Sequence, residues 1–338
     1  MAYGVTKERG AQFGAESPAG TPHAATFIWR GPANSIQDTR KIDNVGEREN
    51  VRYSAPLARL NMPEIGAAYT MPDAEVTFEQ GPVILNASIR PLLTGVADTG
   101  VGHTAVIYAF PFPTTVSDHT FTPYTIEAGN NNLAHYMEYS FADKWGMSGV
   151  SNQAVKWTGV HFTGRQRTAQ AFTGGLTPAA IEVVNFNQGK LYVNNSYATL
   201  GNTQYVNGWL GFNLACMPGL LAQPTGDGQL YFSFVKPTGV KMTGDLTVED
   251  DSDATGLETD WVAKTIKYVR MKFEGSALVG ATYTKKTLII DQCLYISSID
   301  TLTSQNGNDT KKVHFSTVYD GTALFANMTF VNALAALP

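Results

Sequence analysis

Histidine is the residue to look for first when asking what chemistry a chain can do, because imidazole serves both as metal ligand and as general base. Six are present, His23, His103, His119, His135, His161 and His314. They are scattered, with no HExxH pair to hold a metal on one helix face. No G-x-S-x-G elbow presents a serine nucleophile. Gly100-Val-Gly102-His-Thr-Ala105 matches the GxGxxA form of a dinucleotide loop. That loop must open a helix so that the pyrophosphate meets the helix N-terminus. Ala105 to Phe110 reads as strand instead, and no strand leads into the glycines, so no nucleotide site is expected. The acidic run Glu249-Asp250-Asp251-Ser252-Asp253 is the best metal candidate, since carboxylate oxygens suit a hard cation such as Ca²⁺. Asp250, Asp251 and Asp253 are its candidate ligands. The run lacks the spacing and bracketing glycine of an EF-hand, and a solvated hairpin tip is the plainer expectation.

Trp29, Trp145, Trp157, Trp209 and Trp261 offer either a sugar platform or core and interface packing. A carboxylate pair for glycoside hydrolysis exists only in three dimensions and cannot be read from spacing. Cys216 and Cys293 each sit in an apolar run and are expected to be buried free thiols. No catalytic residue, cofactor or committed metal site emerges, and the chain is read as non-enzymatic.

Composition points elsewhere. Across 338 residues, 43% are hydrophobic but only 16% are charged, against roughly 25% in an average domain. A surface poor in charge and rich in Thr, Asn, Gly and Ala is suited to touching other protein over much of its area. The net charge of −5 argues against phosphate-gripping nucleic-acid binding. Lys7 and Arg9 are followed by GAQFGAESPAG, so no signal peptide is expected, and no run is apolar enough to span a membrane. The sequons at Asn86, Asn194, Asn308 and Asn327 are read as chance.

The elements that would position any site are mostly strands. Residues 1–22 carry too few apolar side chains to pack alone and are expected to be an arm ordered by a neighbour. Short segments at 26–29, 36–45, 50–57 and 75–78 read as strands bounded by Gly, Pro or Asn. Gly81 to Gly95 reads as a helix, with Pro82 in its first turn and Leu85, Ile89, Leu92 and Leu93 on one stripe. Pro91 predicts a kink or an early stop there. Ala105 to Phe110 reads as strand, and 111–132 as a long hairpin or flap outside the core. From Leu133 onward strands dominate, at 133–141, 154–163, 166–173, 190–194, 206–216, 229–235, 239–248, 263–274, 282–290, 293–299, 311–319 and 323–331. A single helical turn is allowed over 177–185, and Gly174 to Pro178 is the expected linker.

Within this pattern the stretch Trp145 to Arg165 has an echo at Trp261 to Ser276. Lys156, Phe162 and Gly164 match Lys267, Phe273 and Gly275, and Gln188 with Leu191–Val193 matches Gln292 with Leu294–Ile296. Two matches in one order suggest a supersecondary unit used twice. In both copies the apolar face changes side midway, which suits a strongly twisted strand.

Several stretches resemble the tail tube (major tail) proteins of long, non-contractile-tailed bacteriophages. Glu16-Ser-Pro-Ala-Gly20-Thr21-Pro22 with Ala25-Thr26 is similar to that family's E-x-x-x-GTP-x-x-A-T opening. The Gly81–Gly95 helix resembles the helix that lies against the tube sheet. Tyr139 to Gly149 resembles the aromatic segment ending in a Leu-Ser-Gly-type turn, and Gly164-Arg165 its usual end. Tyr268 to Gln292 is similar to a late segment. Met147 stands in the usual Leu place, and Ser17-Pro18-Ala19 replaces the common aromatic.

The resemblance implies a mainly β fold of two tandem tail-tube-type β-sandwich or barrel domains, each with little helix. The arm would occupy 1–22, the first tube domain 23–175 with the helix and flap, and the second 176–338, with strand exchange between them left open. It implies a virion structural protein, made in the bacterial cytoplasm and located in the tail, that assembles with itself. Trimeric pseudo-hexameric or hexameric rings would stack into a conduit for double-stranded DNA, which passes without specific binding along a mildly acidic lumen. Tape measure protein and tail terminator are the further implied partners, and no membrane anchor is implied. Phe13, Glu16 and Thr21 of the arm, and Phe112, Phe121, Tyr124 and Asn131 of the flap, are the assembly-interface candidates. The alternatives are another β-rich virion component (tail tip, collar or capsid decoration) or a carbohydrate-binding tail-fibre module.

Overall fold

A computed structural model describes residues 9–45, 59–90, 95–98, 102–206, 208–305 and 307–337. Strands are β1 (Gly10–Ala15), β2 (Phe27–Ile28), β3 (Gln37–Asp38), β4 (Lys41–Asn44), β5 (Leu60–Glu64), β6 (Ala67–Thr70), β7 (Ala74–Glu75), β8 (Val96–Ala97) and β9 (Val106–Pro111). They continue as β10 (Tyr124–Gly129), β11 (Ala134–Val150), β12 (Lys156–Gly164), β13 (Arg167–Ala169), β14 (Gly189–Asn194), β15 (Gln204–Tyr205) and β16 (Trp209–Met217). The last are β17 (Leu220–Gln223), β18 (Phe234–Pro237), β19 (Lys241–Glu249), β20 (Lys267–Ala277), β21 (Lys285–Gln305), β22 (Asn308–Thr317) and β23 (Ala326–Asn332). The helices are α1 (Pro82–Asn86) and α2 (Ser252–Val262).

The fold is mainly β and antiparallel, and the described strands form no closed barrel. Three sheets are joined by two long strands. The first sheet runs β2-β1-β10-β11-β13, using the first half of β11. At Phe141 that strand passes into a second sheet, β6-β12-β11-β16-β19-β22-β21, with β3 outside β6. Here β21 contributes its second half, from Leu294 on. Its first half lies in the third sheet, β15-β14-β20-β21-β23-β9-β8. Pairings β9–β23 and β11–β16 cross the expected boundary at 175/176.

One continuous core lies between the sheets. Phe13 stacks on Phe27 at 5.4 Å and meets Phe162 at 5.9 Å, while Trp145 stands edge-on to Trp157 at 5.5 Å. Further along, Phe186 and Trp209 are 4.5 Å apart and lead to Phe212 and Phe273. All five residues of α1 are buried. The helix is held by the Ala142 N–H, which donates to Ala87 O at 2.9 Å, and by Asn332, whose Nδ2 donates to Phe78 O at 2.8 Å.

Four expectations are corrected. Within the described part of the arm, β1 pairs with β10 over its whole length and is buried in the middle. Gly14 also lets the segment before β2 approach closely, since a Cβ there would lie 2.5 Å from Ala24 O. The flap is not wholly outside the core, because β10 within it is buried at every position. The 81–95 helix ends at Asn86, and it is buried all round instead of showing one stripe. Over 177–185 no helical turn forms; the β-branched Val183 and Val184 run extended, with Val184 N donating to Val76 O. The expected strand 50–57, together with Pro91, Leu92, Leu93, Gly100 and Val101, lies outside the described residues.

The echo also proves to be one of residue type, not of strand neighbourhood. Leu191–Val193 and Leu294 both pair with β20, from opposite sides, and neither pairs with β12. The change of face in β12 is real and comes from a bulge. Register against β11 slips between Ala142 and Lys144 and slips again before Gly146, opposite Gly159 with φ 56°. β20 keeps register with β21 from Lys267 to Glu274, and its odd-numbered residues Lys267 to Phe273 all face inward. Lys267 is buried, with Nζ 2.6 Å from Asp260, whereas its counterpart Lys156 is exposed.

Candidate assembly surfaces

Glu16 organises the beginning of the chain. Its Oε2 accepts the Gly20 N–H at 2.7 Å, which closes the turn before Thr21-Pro22. Its Oε1 accepts from Thr125 Oγ1 and from the Tyr139 N–H, both at 2.8 Å. The E-x-x-x-GTP opening is therefore a buried carboxylate clamp on β10 and β11. Nearby, Arg165 lies over the Tyr139 ring at 4.5 Å and donates to Phe232 O and Ser233 O at 3.0 and 2.7 Å. That pins the β17–β18 hairpin across the point where β11 changes sheet, over Phe141 and Phe121.

The proposed interface residues thus separate. Phe13, Glu16, Phe112 and Tyr124 are buried inside this chain and have no side-chain surface to offer a neighbour. They are corrected to core residues: pairing of β1 with β10 encloses Phe13, Glu16 and Tyr124, while Phe112 packs on Trp145 and Phe325. Phe121 is half-buried on Phe141, and only Thr21 and Asn131 are exposed.

The acidic run is not a hairpin tip. Asp251 caps α2, its Oδ1 accepting the Ala254 N–H at 2.9 Å, and Asp253 lies in the first turn, where a negative charge favours the helix dipole. Asp250 pairs at 2.8 Å with the buried Lys311, which also meets Glu258 at 3.0 Å. Among the described residues no group of three or more His, Cys, Asp or Glu could hold a metal. Gly256 and two threonines, Thr255 and Thr259, weaken the helix signal in sequence, so the stretch after the acidic run carries no clear helical expectation.

Of the histidines, His119 is buried and donates from Nε2 to Ser88 O at 2.9 Å; burial pushes its pKa down. His161 and His314 sit on the outward face of the second sheet. His161 Nδ1 is 2.7 Å from Asp143, whose hydrogen bond holds the imidazole pKa up. His314 bridges Asp245 of β19 and Asp300 of β21, with Nε2 2.9 Å from Asp300. These pairs stitch neighbouring strands.

Among the described residues both edges of the second sheet are open. Among the described residues no strand pairs with the far side of β3, nor with the far side of Tyr295–Gln305. Beside the second edge lies a groove of about 720 Å³ lined by Trp261, Ile266, Tyr295, Val318 and Tyr319, together with the charged Asp260 and Lys264. Of the five tryptophans only Trp261 is exposed. Beyond the other edge the β4–β5 ribbon continues from β3 and β6, and most of its residues are exposed.

No family model matches the sequence, and no curated protein matches it. Among solved structures the chain has a weak similarity to the SPP1 tail tube determined by solid-state NMR and cryo-EM. The TM-score is 0.31 and the identity 9%, over 44% of this chain and 80% of that one.

Proposed function

We propose that this chain is a structural virion protein, a tail tube subunit that assembles with itself into stacked rings forming the conduit for phage DNA. The observation that carries the reading is the second sheet, which ends in an open edge on each side. An open edge is a row of unpaired backbone donors and acceptors, a liability unless a partner covers it. Two different open edges on one sheet make a head-to-tail contact, and such a contact closes into a ring when its rotation allows. The sequence resemblance adds support at residues that now have physical roles, Glu16 and Gly20 in the clamp and Arg165 in the hairpin pin. The role is non-enzymatic, and its place is the virion tail. Tape measure protein, tail terminator and passing double-stranded DNA are its proposed partners.

Electron microscopy of the concentrated protein tests this. Rings or tubes are expected, with three chains per ring if each supplies two subunit equivalents and six if it supplies one. A chain that stays monomeric under every assembly condition overturns the proposal.

A further inference from the structure

We infer that the groove beside β21 receives the β4–β5 ribbon of a second copy of this chain. The inference rests on the self-assembly reading and specifies its contact.

A two-stranded ribbon has no core of its own and is marginal in water. This one still carries Ile42 at 58% exposure and Leu60 at 70%. The groove has the opposite shape and the same chemistry, with Trp261, Ile266, Tyr295 and Tyr319 between 39% and 46% exposed. Tyrosine and tryptophan supply large apolar area with a polar tip, which suits a protein interface with a wet rim. Asp260, one of the residues lining the groove, already pairs with Lys267 and so is not a stranded charge.

Position selects the occupant. The ribbon extends one edge of the second sheet, and the groove adjoins the other. In a head-to-tail arrangement these two features meet between neighbours, and one contact covers the ribbon's side chains, the groove and both open edges. The extended ribbon also matches strand addition, in which main-chain hydrogen bonds to an edge are combined with side chains seated in an adjacent groove.

Cysteine pairing tests the contact directly, because Cys216 and Cys293 are both buried. Leu60→Cys and Tyr319→Cys chains, mixed under assembly conditions, are expected to give a cross-linked dimer. Controls with either variant alone are expected to give none. The double variant Ile42→Asp/Leu60→Asp is expected to keep its circular dichroism and melting temperature, since both positions are exposed. It should need at least a roughly tenfold higher concentration to assemble, equivalent to about 1.4 kcal/mol of lost contact. Particles that form normally from the double variant, with no cross-link in the mixed sample, overturn this inference and leave ring assembly standing. So does quenching of Trp261 fluorescence by a soluble oligosaccharide in a variant-insensitive assembly, which assigns the groove to a glycan. A wild-type chain that never assembles overturns both.

Discussion

Glu16 and Tyr139 lie 123 positions apart in the chain, yet Glu16 Oε1 accepts the Tyr139 N–H at 2.8 Å. Tyr139 has φ 49°, a left-handed conformation that costs a side-chain-bearing residue roughly 1–2 kcal/mol. It stands where β11 leaves the first sheet for the second. The carboxylate holds that backbone in place together with the turn at Gly20 and the hydroxyl of Thr125.

Glu16→Ala leaves the Gly20 and Tyr139 N–H groups and the Thr125 hydroxyl without their acceptor. A loss of about 2–4 kcal/mol is expected, since buried donors without partners cost about 1–3 kcal/mol each and the small cavity admits some water. Glu16→Gln retains an acceptor oxygen and should lose less. Urea unfolding of the three proteins measures both differences. An unchanged midpoint for Glu16→Ala would show that the clamp contributes nothing.

Gly159 takes φ 56° at the bulge in β12, and a Cβ there would meet nothing within 4 Å. Gly159→Ala should therefore cost about 1–2 kcal/mol through backbone strain alone. Gly159→Asn should cost less, because asparagine tolerates the left-handed region. Thermal unfolding ranks the three, and an alanine variant as stable as wild type would contradict the strained geometry.

His314 faces Asp245 from β19 and Asp300 from β21, with Lys312 from its own strand 3.1 Å from Asp245. The hydrogen bond to Asp300, then that to Asp245, holds the imidazole pKa above its usual value against the opposing effect of burial. A raised cationic pKa means that folding takes up a proton. The stabilisation is full below the unfolded pKa of about 6.5 and is lost as pH rises through the folded value. Melting temperature should thus fall between pH 6 and 9 more in wild type than in His314→Asn. The site is partly exposed, so the difference should stay within ~1 kcal/mol. Parallel pH curves would remove His314 from the account.

Asp320 closes the loop between β22 and β23. Burial alone would raise its pKa, but N–H groups of Ala323, Thr322 and Leu324 and the Tyr268 hydroxyl bring it down to about 2. A depressed carboxylate pKa contributes stability that is present above the unfolded value near 4 and lost as pH falls through 2. Asp320→Asn should lower stability at pH 7 by roughly 1–2 kcal/mol. At pH 2 the two proteins should converge, a result that acid titration of the unfolding midpoint checks.

Much of the strand content was legible in the sequence, because alternation survives wherever one face is wet. β22 shows this, with Lys312, His314 and Ser316 half-exposed between buried Val313, Phe315 and Thr317. β1 and β10 were missed for the converse reason. Both faces of each are covered, so Gly10-Ala-Gln-Phe-Gly-Ala shows no alternation and only one large apolar residue. α2 was missed because its N-terminal acidic residues resemble a solvated loop until Asp251 is seen to cap the helix. At the candidate interface, residue type pointed to Phe13 and Tyr124, which are buried, whereas Ile42, Leu60 and Trp261 are among the large apolar side chains that stay exposed. Sequence marks which side chains need cover; only pairing shows which already have it.

β11 and β21 carry a mechanical consequence. Each is one unbroken backbone that belongs to two sheets. Tension applied to the first or third sheet therefore reaches the second through covalent bonds, not through packed side chains that can slide. Strands sharing such a load must shear together, so neither outer sheet can peel away without dragging its half of the central one. In the self-assembly proposed above, this would place compliance between copies and stiffness within each.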